Sequence, residues 1–218
     1  NNKIYVIISD AMRYEIADEL VSLIRQEDRY SADIAPMLSM LPSYTQLGMA
    51  ALLPNDTLAI ADNDSGTVLV NEQSSQGTSS RSKILKAALQ DRGDAITADN
   101  FMQLNREDSR ELLKANDVIY IYHNRIDHTG DKMHSEGQAF EAAEKTLNDL
   151  MKIIKKLAAA NANNILITAD HGFIYQNRAI DESDFSSAVV RGKEILYKDR
   201  RFILGKGLVD SPGLHKFS

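Results

Sequence analysis

Three places in the chain put metal-binding side chains at the end of an apolar run. Val6-Ile7-Ile8-Ser9 leads into Asp10, Tyr120 to Ile126 leads into Asp127, and Ile165 to Ala169 leads into the pair Asp170-His171. Carboxylate oxygens and an imidazole nitrogen are donors for Zn²⁺, Mn²⁺ or Mg²⁺. The chain contains no cysteine, so disulfides and thiolate metal sites are excluded. Each element also has a plainer account. Asp10 can cap the following helix, Asp170-His171-Gly172 can be a polar turn, and the stretch from Asp127 to Asp131 can be a solvated loop. Three such ends, in this chain order, are harder to explain as three independent caps.

The elements that must carry these residues follow from hydrophobic spacing. Lys3 to Ser9 is a continuous apolar run rich in β-branched residues, the pattern of a strand buried on both faces of a parallel sheet. From Met12 to about Asp28, Ile16, Leu20, Leu23 and Ile24 recur at helical intervals. Strand, acidic turn and helix open a doubly wound unit, in which ligands bind beyond the carboxyl ends of the strands. Asp117 to Tyr122 and Asn164 to Thr168 repeat the buried-strand pattern, and Ala139 to about Ala160 reads as a long amphipathic helix. Asp33 to Pro36 is expected as a short strand. A helix is expected from Gln46 to Leu53, its cap near Ser43 or Tyr44, stopped by Pro54. Residues 57–60 and 67–70 read as a hairpin, 71–82 as loop, and 83–90 and 106–114 as helices. Beyond Ile174 the pattern is less regular.

These elements predict an α/β fold: a mostly parallel central sheet with helices on both faces and a small hairpin insertion. The 218 residues suit one large domain spanning 1–218. The chain begins without Met and reads as a piece of a longer protein. It has no 18-residue apolar run and no secretory signal pattern, so a cytoplasmic protein without a membrane span is expected. The net charge is −6, from 25 basic and 31 acidic residues, which argues against a broad nucleic-acid-binding field. A local basic patch around Arg191, Lys193, Lys198, Arg200 and Arg201 remains available.

Four blocks, SDAMRYE from Ser9, MLPSYTQLGMAALLP from Met40, YHNRIDHTGDK from Tyr122 and TADHGF from Thr168, together resemble the PglZ domain of the alkaline phosphatase superfamily. They extend over residues 9 to 173. TADHGF marks the superfamily; SDAMRYE with HNRIDHTGD resembles PglZ proteins of BREX and Pgl phage-defence systems. The resemblance implies that Thr45 is a nucleophile whose hydroxyl also touches a metal, and that Asp10, Asp170 and His171 are metal ligands. It implies that Asp127 holds a second metal, with Asp131 in a slot that is often His, and His128 as the substitute. The superfamily supplies a further late His. His215 is the one candidate after His171, without the usual glycines, and the alternative is a ligand beyond Ser218. Up to two divalent ions, Zn²⁺ first and Mn²⁺ or Mg²⁺ next, are implied. Coordination would lower the pKa of the Thr45 hydroxyl for attack on phosphorus.

Arg13 follows Asp10 by three and either faces the pocket to pair with phosphate or pairs at the surface with Glu15 or Asp18. His123 and Asn124 are placed to orient ligands from behind, and Lys132 is either a phosphate contact or a solvated lysine. The implied activity is a phosphatase or phosphodiesterase, acting on a phosphoester such as DNA or a nucleotide, beside a DNA methyltransferase and an ATPase. The second reading is a non-catalytic scaffold or partner-binding module of the defence complex. A phosphomutase would share the metal site but needs a further substrate domain.

Overall fold

The computed structural model describes residues 3–126, 137–173, 189–199 and 201–217. Four parallel strands form the central sheet in the order β5 (Gly93–Thr97), β6 (Val118–His123), β1 (Ile4–Ser9), β7 (Ile165–Thr168). Alternate residues of these strands point to opposite faces. Tyr5, Ile7, Ile119 and Ile121 pack against α1 (Tyr14–Arg25), α4 (Ala98–Gln103), α5 (Arg106–Ala115) and α6 (Gly137–Ala159) through Leu20, Phe101, Leu113 and Leu150. Val6, Ile8 and Tyr122 face the other way, onto Met49 of α2 (Thr45–Ala51). Beside α2 on that face lie α3 (Gly77–Ala88) and a small antiparallel sheet of β2 (Leu58–Ile60), β3 (Val68–Val70) and β4 (Gln73–Ser74). Helices thus cover both faces, as the sequence predicts. Ile7, Ile8, Ile119 and Ile121 are fully buried, each worth roughly 1.5–3 kcal/mol of burial.

The expected strands at Lys3–Ser9, Asp117–Tyr122 and Asn164–Thr168 and the 57–70 hairpin are present with ends shifted by a residue or two. Four expectations need correction. Asp33 to Pro36 forms no strand; it runs mostly exposed with no ladder partner. Residues 71–82 hold β4 and the first turn of α3 rather than loop alone. The Gly-Thr-Ser-Ser start of α3 is poor helix-forming sequence, overridden by the burial of Ile84 and Leu85 against Leu47, Ala50 and Val68. β5, with sequence GDAIT, lacks a strand's usual composition and is made by pairing with β6. The less regular stretch after Ile174 holds an antiparallel pair, β8 (Glu194–Lys198) and β9 (Ile203–Lys206). No helix among the described residues is long and apolar enough to cross a membrane.

Register positions the chemistry. Ile8 of β1 lies level with Thr168 of β7 and with Tyr122 of β6. Two residues further on, Asp10 and Asp170 therefore emerge at equal height at the carboxyl edge. The chain runs from β1 out to β5, returns through β6 and crosses to β7, so the winding reverses beside β1, where open α/β sheets form their crevices.

Candidate metal centre

Beyond Ser9 the backbone turns sharply. Ala11 adopts a left-handed φ of 61°, uncommon for a residue with a Cβ. The turn is held from two sides: the Asp10 N–H donates to the His123 carbonyl at 2.8 Å, and the Ala11 N–H donates to Asp170 Oδ1 at 3.1 Å. It leaves Asp10, 3% exposed, beside Asp170, 2% exposed. One donor atom from each of Asp10, Asp170 and His171 lies within 4.8 Å of the other two. His171 Nε2 is 3.3 Å from Asp170 Oδ2 and 3.6 Å from Asp10 Oδ1.

The histidine's tautomer follows from its other nitrogen. Nδ1 lies 2.8 Å from the Gly172 carbonyl oxygen, which can only accept, so Nδ1 carries the proton. That leaves Nε2 as the nitrogen turned to Asp10, Asp170 and Thr45, and in the neutral tautomer its lone pair is the one that ligates a metal. Thr45 Oγ1 stands 3.0 Å from that nitrogen. Thr45 is there because α2 begins with it and packs directly on β7's exit. A Cβ on Gly48 would stand 2.5 Å from the Asp170 carbonyl oxygen, so only glycine admits this approach.

Burial pushes the Asp170 carboxyl pKa up, opposed by the nearby His171 and by backbone N–H donors. Its Oδ2 is buried and accepts no hydrogen bond. A buried carboxylate oxygen without a donor is costly unless a cation meets it. Two carboxylates, a deprotonated imidazole nitrogen and a hydroxyl on one small volume fit a divalent ion such as Zn²⁺ or Mn²⁺.

Behind the turn, Ser9 Oγ lies 3.0 Å from His123 Nδ1, and Asp149 Oδ2 is 3.5 Å from His123 Nε2 while it accepts from Arg125 Nε at 2.5 Å. Burial lowers the His123 pKa, with Asp149 opposing. This line supports the strand ends that carry Asp10.

The other expected residues are placed as follows. Arg13 pairs with Glu15, the surface alternative, and lies over the Phe173 ring at 5.3 Å from its centroid. His215 sits in the exposed C-terminal segment and is no member of the close ligand group. Asp127, His128, Asp131 and Lys132 lie outside the described residues. Gly48 was absent from the expected site, although an interior helical glycine is itself a signal of close approach. A cavity of about 1600 Å³ runs along the outer side of β7 and meets the site at Arg13 and His171.

The sequence profile of the BREX system PglZ alkaline phosphatase-like domain matches residues 1–218. The chain is 37% identical over 207 residues to "Alkaline phosphatase-like protein BrxZ" of Escherichia coli O9:H4 (strain HS), covering 94% of this chain and 24% of the relative. It is 38% identical over 217 residues to "Alkaline phosphatase-like protein PglZ" of Bacillus cereus (strain H3081.97), covering 99% of this chain and 25% of the relative. It spans about a quarter of the length of these curated relatives.

Proposed function

The chain belongs to the BREX PglZ alkaline phosphatase-like family, and from that premise we propose that it is a metal-dependent phosphoester hydrolase with Thr45 as nucleophile. The observation that carries this is that Thr45 Oγ1 lies 3.0 Å from Nε2 of His171, the nitrogen that faces two buried carboxylates. A hydroxyl at the first residue of a helix, held by one member of a cluster of three metal-type donors, suits phosphoryl transfer; a capping threonine needs no such neighbour.

Asp10, Asp170, His171 and Thr45 would hold one divalent ion, and Asp127 with Asp131 a second. Bound there, a dication supplies positive charge that lowers the pKa of the threonine hydroxyl and draws in phosphoryl oxygens. The protein's own groups do the rest. His171 Nε2 lies at hydrogen-bond distance from Thr45 Oγ1 and orients the hydroxyl. Gly48 lets α2 approach, which fixes the reach of Thr45. In the reaction the bond from Oγ1 to phosphorus forms as the ester P–O bond breaks and the leaving oxygen takes a proton. Water then displaces Oγ1 and restores threonine.

The substrate we propose is a diester or nucleic-acid-type phosphoester, processed within a phage-defence system in which a DNA methyltransferase is the expected partner. The test is hydrolysis of bis-p-nitrophenyl phosphate and p-nitrophenyl phosphate with added Zn²⁺ or Mn²⁺, by wild type and Thr45→Ala. Metal-dependent turnover lost in the variant is the expected result. Equal turnover by both proteins would remove Thr45 from the mechanism.

A further inference from the structure

Arg81 is 8% exposed, yet among the described residues no carboxylate lies within ion-pair distance of it. Its one hydrogen bond of ordinary geometry to a described residue runs from Nε to the Ser75 carbonyl oxygen at 2.9 Å. The guanidinium lies over the ring of Tyr122, with Cζ 4.6 Å from the centroid. Tyr122 is itself 7% exposed, and its hydroxyl is buried beside the Arg81 guanidinium with no hydrogen bond of ordinary geometry to a described residue. Burial pushes the Tyr122 pKa up, the Arg81 charge opposes this, and the Asp170 carboxylate reaches the phenol and adds to it. The ring also packs with Met49 of α2, whose neighbour Gly48 is pressed against Asp170, so Arg81 and Tyr122 lie on the α2 side of the sheet that carries the metal centre.

The topology fixes which end of the fold this is. α3 leads by a short turn into β5, and Arg92 in that turn accepts through its carbonyl from the Asp117 N–H, at the start of β6. The C-terminal end of α3 is thus at the amino edge of the sheet. Its N-terminal end, with Arg81, is at the carboxyl edge beside Tyr122. No side chain caps that end, and its uncapped first-turn N–H groups add positive potential. A buried cation, a buried hydroxyl and an open helix start meet at the carboxyl edge, the edge from which Asp170 emerges. A buried guanidinium without a counter-charge costs the fold and is best explained by an anion that arrives.

We propose that Arg81, with the Tyr122 hydroxyl and the first turn of α3, forms a subsite for a tetrahedral oxyanion of the substrate, next to the metal centre. This rests on the phosphoester reading for the identity of the substrate, but the subsite itself needs no turnover. The fork of the guanidinium suits two phosphoryl oxygens. The class of substrate it favours carries a second phosphate near the scissile one, as a phosphodiester chain does.

The experiment titrates inorganic phosphate into zinc-loaded full chain by calorimetry, for wild type, Arg81→Met and Tyr122→Phe, with zinc content and melting temperature measured for each. The expected result is phosphate binding weakened about tenfold or more in Arg81→Met and less in Tyr122→Phe. Zinc content should be unchanged and the melting temperature of Arg81→Met equal or higher, because a buried charge is gone. A purely structural arginine would behave differently: Arg81→Met would melt lower or fail to fold and Tyr122→Phe would bind phosphate as wild type does. That result, or wild-type phosphate binding in Arg81→Met, overturns the subsite. The two proposals separate cleanly. Phosphate binding through Arg81 without any hydrolysis keeps the subsite and sinks the hydrolase; hydrolysis of a dinucleotide with a KM indifferent to Arg81→Met and to an added terminal phosphate does the reverse.

Discussion

At the amino edge of the central sheet, Lys3 Nζ donates to the carbonyl oxygens of Leu113, Lys114 and Asn116 at 2.7, 2.7 and 2.8 Å, closing the C-terminal end of α5. Beside it Arg92 grips Asp117 through two bonds of 2.6 Å. At the carboxyl edge, the same four strands deliver Asp10, Asp170, His171 and, on α2, Thr45. There Asp170 Oδ2 and the Tyr122 hydroxyl are buried without hydrogen bonds of ordinary geometry to described residues. The amino edge satisfies its polar groups from within the chain and is exposed enough that water does the rest. Among the described residues of the carboxyl edge, these two buried oxygens accept or donate no hydrogen bond of ordinary geometry. Stability resides in the first and the demand for a ligand in the second, the usual division where a site is kept at some cost to the fold.

Substitutions at the two edges should separate activity from stability. The largest effect is expected of Thr45→Ala: a fall in metal-dependent diester hydrolysis of about 10³-fold or more, with a denaturation midpoint close to wild type. A midpoint collapse with turnover retained would invert the assignment. Next comes Gly48→Ala. Helix propensity alone favours alanine by about 1 kcal/mol, but the new Cβ would stand 2.5 Å from the Asp170 carbonyl. Overpacking should win, with a net loss of roughly 1–3 kcal/mol in urea unfolding and weaker metal binding; a more stable variant would mean that α2 is not pressed on Asp170.

At the other edge, Lys3→Met removes three donors from helix-end carbonyls and should cost about 1–2 kcal/mol by urea unfolding, leaving metal content untouched. The smallest effect belongs to Asp117→Asn. The Arg92 guanidinium holds the Asp117 carboxyl below its usual pKa. A carboxylate with a lowered folded pKa contributes stability above the unfolded value of 3.8 that is lost as pH falls through the folded one. The variant should therefore melt slightly below wild type at pH 7, and the gap should close below about pH 4. A gap that persists into acid would assign the effect to something other than the ion pair.

The strands that present the ligands were legible because both faces of a parallel sheet are buried. Ile4 to Ser9 and Val118 to His123 read as unbroken apolar runs, and their ends point to Asp10 and the His123 region. The register that levels Asp10 with Asp170 was not legible, since pairing between residues so far apart leaves no local trace. β5 was missed for a related reason: Gly93 and Asp94 are poor strand residues, held in place by β6. Asp33 to Pro36 showed the converse error, an extended segment with no strand beside it to complete a ladder. Arg81 fell in a stretch read as loop and drew no notice, because its burial depends on Tyr122 coming from β6.

The most direct test of the carboxyl-edge account is elemental analysis of protein purified without chelator, wild type and Asp170→Ala side by side. The account predicts at least one equivalent of Zn or Mn in the wild type, largely lost in the variant while the variant stays folded. No bound metal in the wild type after soaking in excess Zn²⁺ and Mn²⁺, or equal metal in both proteins, would contradict it.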